Sequence, residues 1–114
     1  MPSRVDLTGD DALYEGNDET LHLDLASTEV GFDFDTATEI EVLIKTSADQ
    51  ADGDGVTLSM TGNAVSVTDG PNGLVDVEIP GSALVVTQKW WHVRVTAAGK
   101  RKTAMYGTLE VVNL

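Results

Sequence analysis

Residues 74–79 read Leu-Val-Asp-Val-Glu-Ile and are followed by Pro80-Gly81. Apolar and acidic side chains alternate here, so an extended chain would have one apolar face and one charged face. This period of two predicts a half-buried β-strand that the Pro-Gly pair ends. Five more segments alternate in the same way: Leu21/Leu23/Leu25, Ile40/Val42/Ile44, Val56/Leu58/Met60, Trp91/Val93/Val95 and Leu109/Val111. The chain is therefore predicted to be all-β, an antiparallel β-sandwich of about seven or eight strands.

The strand boundaries follow from the turn residues between the alternating segments. We predict extended segments at residues 5–7, 11–14, 20–26, 39–46, 56–60, 64–68, 74–79, 89–96 and 103–112. The apolar run Val42-Leu43-Ile44 favours a central position for the fourth of these. Gly62-Asn63 predicts a hairpin between residues 56–60 and 64–68, because both residue types tolerate a positive φ.

Three connections are less well defined by the sequence. Residues 97–102 are expected to form a loop whose tip is Lys100-Arg101-Lys102. Residues 83–88 fit either a single helical turn or a short strand that crosses between sheets. The aromatic pair Phe32 and Phe34, two positions apart, is expected to cover the open end of the core.

The length of 114 residues predicts one domain, spanning 1–114, with one core. We leave open whether residues 1–13 form an extended N-terminal arm. The chain has no cysteine, so stability is expected to come from packing or from assembly with other chains. Its N-terminus lacks the apolar segment of a signal peptide, and no stretch is long enough to span a bilayer, so we expect synthesis in the cytoplasm.

The net charge of −12 is unevenly distributed along the chain. Residues 1–88 contain 18 of the 19 carboxylates and two of the seven basic residues, a net charge of −16. Residues 89–114 contain the other five basic residues against Glu110, a net charge of +4. An acidic surface disfavours binding to nucleic acid and to anionic membranes. The basic run Lys100-Arg101-Lys102 is either a solvated turn or a contact for an acidic partner.

Candidate chemistry in the sequence is sparse. Asp49, Asp52 and Asp54 lie on a glycine-containing loop and are a calcium candidate, although their spacing differs from that of an EF-hand and a plain solvent-exposed loop is favoured. Two histidines, His22 and His92, cannot complete a zinc site without carboxylates. No nucleophile-elbow or phosphate-binding glycine motif occurs, so we expect no enzymatic activity and no cofactor.

The strand at residues 89–96 contains the most informative surface pattern. The phase that directs Trp91, Val93 and Val95 into the core directs Trp90, His92 and Arg94 outward. Tryptophan and arginine are enriched at protein interfaces, so this row is a candidate contact surface, together with Lys100, Arg101 and Lys102. The alternative is that Trp90 packs under a neighbouring loop of its own chain.

The order of these elements resembles the small Ig-like β-sandwich domains of tailed-bacteriophage virion proteins, such as the N-terminal domain of baseplate upper proteins. The resemblance covers about residues 7–112. It is carried by the Gly9-Asp10-Asp11 turn, the strand at 37–45, the stretch Gly73 to Pro80, the step Ser82-Ala83-Leu84, the aromatic strand Trp90 to Val95, and residues 105–111. Because the sandwich pattern extends over nearly all of the 114 residues, we expect no fibre or receptor-binding domain after it, which favours a building-block role.

The resemblance implies a structural protein of the virion. We expect a capsid decoration (cement) protein or a small head or tail accessory protein, bound to capsid, connector or tail subunits and present as a homo-oligomer or in many copies on a lattice. Such a protein would be made in the host cytoplasm and located in the virion. Two alternatives stay open: a carbohydrate- or receptor-binding module of a phage tail or baseplate, with Trp90 and the Phe32/Phe34 loop as its platform, and an Ig-like or adhesin-type domain of a cellular protein.

Overall fold

A computed structural model describes residues 3–25, 37–70, 72–97 and 99–113. The described residues form ten strands: β1 Ser3–Arg4, β2 Leu13–Tyr14, β3 Glu19–Asp24, β4 Ala37–Lys45, β5 Val56–Ser59, β6 Val65–Asp69, β7 Leu74–Ile79, β8 Trp90–Ala97, β9 Lys100–Thr108 and β10 Val111–Val112. They also form single 3-10 turns at Gly9–Asp11, Asp52–Asp54 and Gly81–Ala83. No helix in these ranges is long and apolar enough to cross a bilayer.

The strands form one five-stranded, one three-stranded and one two-stranded sheet. The five-stranded sheet has the order β1-β9-β8-β4-β5, the three-stranded sheet the order β3-β7-β6, and β2 pairs with β10. The predicted all-β fold is confirmed, and most pairings are antiparallel. The expectation of a purely antiparallel fold is wrong, because β1 pairs with β9 and β2 with β10 in parallel. These parallel pairs arise because the N-terminal segment runs alongside the last strands of the chain.

The two larger sheets share one core. Alternate residues of β4 and β8 pack with alternate residues of β3, β6 and β7 in a single cluster of buried side chains. The predicted alternation in β8 is confirmed, since Trp91, Val93 and Val95 are at most 1% exposed. The predicted central position of β4 is also confirmed, because β4 pairs with both β5 and β8.

The predicted hairpin across Gly62-Asn63 is wrong. β5 pairs with β4 in the five-stranded sheet, whereas β6 pairs with β7 in the three-stranded sheet. The turn between β5 and β6 therefore carries the chain from one sheet to the other. Glu39 stabilises this crossing, because its carboxylate accepts hydrogen bonds from the backbone N–H groups of Met60 and Thr61 at 2.9 and 3.2 Å. Asn63 does adopt the expected positive φ, at 67°.

Several boundaries at the end of the chain also differ from the predictions. β9 begins at Lys100, which pairs with Ala97, so the ladder between β8 and β9 continues into the predicted loop at residues 97–102. Gly99 has a φ of 76°, which suits so tight a turn. The predicted strand at 103–112 is divided at Leu109 and Glu110 into β9 and β10.

Two open questions from the sequence have different outcomes. The segment at 83–88 contains no strand, and the 3-10 turn Gly81–Ala83 precedes it. Phe32 and Phe34 lie outside the described residues, so their expected role as a cover stays a prediction.

Residues 3–14 follow the edge of β9 and then β10. The Val5 N–H donates to the Tyr106 carbonyl at 2.8 Å, and the Leu7 N–H donates to the Thr108 carbonyl at 2.9 Å. Further along, Leu13 is opposite Val111. This part of the expected N-terminal arm thus lies against its own chain.

We predict that Trp91 makes the largest single contribution to the core. Its side chain is fully buried, and its indole N–H donates to the Val5 carbonyl at 2.9 Å. Trp91→Ala should lower the free energy of unfolding by about 3–5 kcal/mol, since it removes a large buried aromatic side chain. Trp90→Ala, which truncates a half-buried neighbour, is the matched control and should cost clearly less. Urea denaturation measures both, and equal losses would contradict this assignment.

Candidate functional site

The outer face of the five-stranded sheet, on the side away from the core, carries the row predicted as a contact surface. Trp90, His92 and Arg94 alternate with core residues along β8, and all three are half-buried. Their cross-strand partners on β4 are Lys45, Leu43 and Glu41, respectively. Since cross-strand partners project from the same face of a sheet, the six side chains form two adjacent rows.

A loop covers part of this face. Leu43 is fully buried and Lys45 is only 4% exposed, although both project away from the core. The β4–β5 loop, residues 46–55, returns across β4 at this point. A Cβ atom at Gly55 would lie 2.8 Å from the Ile44 carbonyl oxygen and 3.1 Å from Lys45 Cγ. The loop backbone therefore lies directly against the lysine stem.

Asp52 fastens the loop to the sheet. One carboxylate oxygen accepts a hydrogen bond from Lys45 Nζ, and the other accepts one from Arg94 Nη1 at 2.6 Å. Arg94 Nη2 lies 3.3 Å from Glu41 Oε1. The hydrogen bond from Lys45, followed by that from Arg94, lowers the pKa of Asp52 below its usual value. Two cations and two carboxylates thus form a balanced network on the outer face.

This network changes the interpretation of two predicted sites. Arg94 is paired within its own chain, so its charge is already compensated. Both oxygens of Asp52, a member of the calcium candidate, are taken by cations, while Asp49 and Asp54 are exposed. Among the described residues, no group of three or more His, Cys, Asp or Glu side chains is arranged to hold a metal ion.

Next to the network lies a recess with two aromatic walls. The rings of Trp90 and Tyr106 are 5.8 Å apart, with an angle of 36° between their planes. Together with Ala48, His92 and Thr103 they line a cavity of about 270 Å³. Ala48 belongs to the β4–β5 loop, so this loop forms one side of the recess beside Trp90.

Sequence reasoning missed Tyr106. Its position opposite His92 in the β8–β9 ladder puts it on the outer face. The alternation of β9 alone does not reveal this, because the register shifts between Val93 and Arg94 and places Ala104 and Met105 together in the core. Arg4 extends the aromatic row, with its guanidinium carbon 6.0 Å from the centre of the Tyr106 ring.

His92 forms one side of the recess in its neutral form. Burial lowers its pKa below the ordinary histidine value, and the nearby charges of Lys45 and Arg94 lower it further. A neutral imidazole offers one hydrogen-bond donor and one acceptor. The recess therefore combines two aromatic rings with uncharged polar groups.

The basic run lies at the other end of the sheet. Lys100, Arg101 and Lys102 are exposed and form the first three positions of β9. Trp90 is at the opposite end of β8, seven residues from Ala97 and so about 23 Å away at 3.3 Å per residue. A partner that contacts both the aromatic row and the basic run must cover the full length of the strand.

The outer face of the three-stranded sheet contains a row of residue types found in serine hydrolases. His22 Nδ1 lies 2.7 Å from Asp76 Oδ1. Ser66 is the cross-strand neighbour of Asp76 on the other side. In a catalytic triad the histidine stands between the serine and the carboxylate, because it must accept the serine proton. Here the aspartate is in the middle, so this row lacks the order that the reaction requires.

Comparison with known proteins adds no assignment. No protein-family model matches the sequence, and the search of curated proteins finds no match. The function is therefore inferred from the fold and from the chemistry of its surfaces.

We predict a pH dependence of stability that originates at His92. Since its pKa is lower in the folded protein than the ordinary value of 6.5, the unfolded chain binds the proton more readily. The contribution of neutral His92 is complete above pH 6.5 and should decrease as the pH falls from that value through the lowered pKa. Thermal melts between pH 8 and pH 5 should show this decrease. His92→Gln should flatten the profile in this window, and His22→Asn, the matched control, should leave the decrease in place. A decrease that persists in His92→Gln would assign it to another group.

Proposed function

We propose that this chain is a structural subunit of a tailed-phage virion, built on an Ig-like β-sandwich. In this proposal it attaches to capsid, connector or tail subunits, as a head decoration protein or a small head or tail accessory protein. It acts by binding and has no catalytic role.

The strand order is the observation that carries this proposal. Ig-like sandwiches combine a sheet that contains the order B-E-D with a sheet that contains G-F-C, and variable-type domains add C′ to the latter. If β3 is strand B, the order β3-β7-β6 corresponds to B-E-D, and β9-β8-β4-β5 corresponds to G-F-C-C′. The chain lacks the cysteine pair of antibody domains, and its buried tryptophan is on the strand that corresponds to F rather than C. The sequence resemblance to Ig-like virion domains agrees with this order.

The distribution of charge supports attachment through the ends of the domain. Lys100 to Lys102 are at one end of the five-stranded sheet. Asp49 and Asp54, in the loop that follows Lys45, are at the other end, because Lys45 pairs with Trp90. Opposite charges at opposite ends favour head-to-tail contacts between copies or with neighbouring subunits. Attachment at many equivalent lattice positions would make a modest affinity sufficient.

We predict that the basic run contributes to incorporation into virions. A tagged copy, supplied during phage growth, should be recovered with virions purified on a density gradient. Lys100→Glu/Arg101→Glu should reduce this recovery without unfolding the domain, and Lys89→Glu, an exposed basic position near Trp90, is the control. Absence of the wild-type protein from purified virions would overturn the proposed function. Normal recovery of the double variant would move the contact away from the basic run.

Self-association gives a second test with the isolated protein. Contacts between the basic run and acidic surfaces should weaken with salt, because the screening length falls from about 10 Å at 0.1 M to about 3 Å at 1 M. Sedimentation velocity at both ionic strengths should therefore show less association at 1 M. A monomer at every concentration and ionic strength would limit the role of the basic run to contacts with other proteins.

The recess of Trp90 and Tyr106 favours a second candidate function, the binding of an uncharged sugar ring. Aromatic faces stack against the C–H face of a pyranose, and the His92 imidazole and the Thr103 hydroxyl supply polar contacts. A cavity of about 270 Å³ is at the small end for a ligand pocket, so one or two sugar units are its suitable contents. Phe32 and Phe34, the other part of the expected platform, lie outside the described residues.

We predict that sugar binding, if it is the function, depends on Trp90. A panel of immobilised neutral oligosaccharides should retain the wild-type protein, and Trp90→Ala should abolish retention. Tyr14→Ala removes an exposed aromatic residue elsewhere and should have no effect. Failure of the folded wild-type protein to bind any member of the panel would exclude this second candidate and leave the virion role unaffected.

A further inference from the structure

We propose that residues 3–7, here called the arm, exchange between copies of this chain, so that the arm of one copy fills the slot beside Trp91 and Gly107 of a second copy. The proposal concerns how copies associate. It does not depend on whether the assembly is a virion.

The slot is shaped for an extended backbone. A Cβ atom at Gly107 would lie 1.8 Å from the Val5 carbonyl oxygen and 2.6 Å from the Val5 carbonyl carbon. The Val5 carbonyl thus occupies the space of a missing side chain, and only glycine permits this approach. On the other side of the slot, the Trp91 indole N–H donates to the same oxygen at 2.9 Å.

The slot cannot be left empty without cost. Trp91 is 1% exposed with the arm in place, and departure of the arm would remove the carbonyl that accepts its indole N–H. A buried donor without a partner is unfavourable. A carbonyl from an extended strand satisfies this donor, and a strand from a second copy would satisfy it equally.

The arm is held mainly by bonds that any copy would reproduce. Arg4, Val5 and Asp6 are exposed, and Leu7 is the arm residue that is buried. The backbone bonds of Val5 and Leu7 with β9 are joined by one from the Thr108 N–H to Asp6 Oδ1, at 2.9 Å. Exchange preserves every one of these contacts, which is why swapping an identical element between protomers has a low energetic cost.

A hinge follows the arm. Gly9 has a φ of 60° and begins the 3-10 turn Gly9–Asp11, so the chain changes direction directly after Leu7. The next anchor is Leu13, which pairs with Val111. The five residues 8–12 between the anchors can span about 16–18 Å when extended. This length would let an exchanged arm extend toward an adjacent copy while β2 stays paired with β10.

A second copy is the occupant that the chemistry selects. The slot takes an extended segment with a carboxylate between two apolar residues, and Val5-Asp6-Leu7 is such a segment. Copies packed side by side raise the local concentration of arms, which offsets the advantage that the tether gives to docking within one chain.

Disulfide trapping tests the exchange directly, because the chain has no cysteine of its own. Arg4 and Tyr106 are partners in the β1–β9 ladder. Neighbouring strands are about 4.8 Å apart, which is within the range that a disulfide spans. The variant Arg4→Cys/Tyr106→Cys is refolded from denaturant at low and at high protein concentration and then oxidised. Denaturing gels without reductant separate bonds within a chain from bonds between chains.

Arm exchange predicts a covalent dimer. The fraction of protein in this dimer should rise with the protein concentration during refolding, and a reductant should convert the dimer to monomer. His22→Cys/Asp76→Cys, a facing pair inside one sheet, is the matched control and should give bonds within the chain at both concentrations. If the Arg4→Cys/Tyr106→Cys variant forms disulfides only within single chains, even after refolding at high protein concentration, the proposal is overturned.

Two further variants separate the slot from nonspecific cross-linking. Gly107→Ala, added to the Arg4/Tyr106 pair, should remove the covalent dimer because the methyl group fills the slot, whereas Gly53→Ala, where a Cβ meets nothing within 4 Å, should not. If Gly107→Ala fails to fold, Val5→Pro serves instead, since proline has no N–H to donate to the Tyr106 carbonyl and its ring restricts the arm backbone. A dimer that persists in the folded blocked variant would also overturn the proposal.

Discussion

The hydrogen bond from the Trp91 indole to the Val5 carbonyl joins residues 86 positions apart in the sequence, and Gly107 of β9 lies against the same carbonyl. Trp91 fills the centre of the core between the two larger sheets, and its single polar atom needs an acceptor. The N-terminal segment supplies that acceptor, and β9 admits the segment because Gly107 has no side chain. Core packing, the position of the N-terminal segment and the parallel edge of the five-stranded sheet are therefore coupled. A substitution at Val5, Trp91 or Gly107 should therefore disturb the packing of the other two residues.

The outer face of the five-stranded sheet follows a different principle. A sandwich normally leaves this face to solvent, yet here Leu43 and Lys45 are buried on it. The β4–β5 loop makes this possible, because Asp52 compensates both Lys45 and Arg94. Asp52 itself is 48% exposed, so each of these ion pairs is partly screened by water. With its cations compensated from within the chain, the face presents mainly aromatic and neutral polar chemistry to any partner, at the recess of Trp90 and Tyr106.

Local periodicity predicted much of the fold and rather less of the site. The alternation in β7 and β8 identified strands and their buried faces, since a period of two acts within a few residues. It could not identify which strands pair: Gly62-Asn63 suits a hairpin, but the partners of β5 and β6 are β4 and β7, which are chosen by packing across the whole domain. The sequence did not predict that Tyr106 lies on the outer face, because the register shift in β9 interrupts the alternation of buried and exposed residues. The pairing of Arg94 with Asp52 joins residues 42 positions apart, and no local pattern encodes such a contact.

The edges of the sheets limit how copies of this domain can associate. Exposed edge strands invite pairing with other chains, and short or irregular edges reduce that tendency. β5 has four residues, and β6 shifts register between Val67 and Asp69, so these two edges are poor templates. β3 is also an edge, and it pairs with β7 in unbroken register from Glu19 to Asp24. The N-terminal segment covers β9 from Met105 onward. Strand pairing between copies can therefore use β3, or it can use β9 through the proposed exchange, because the slot at Gly107 admits an extended backbone.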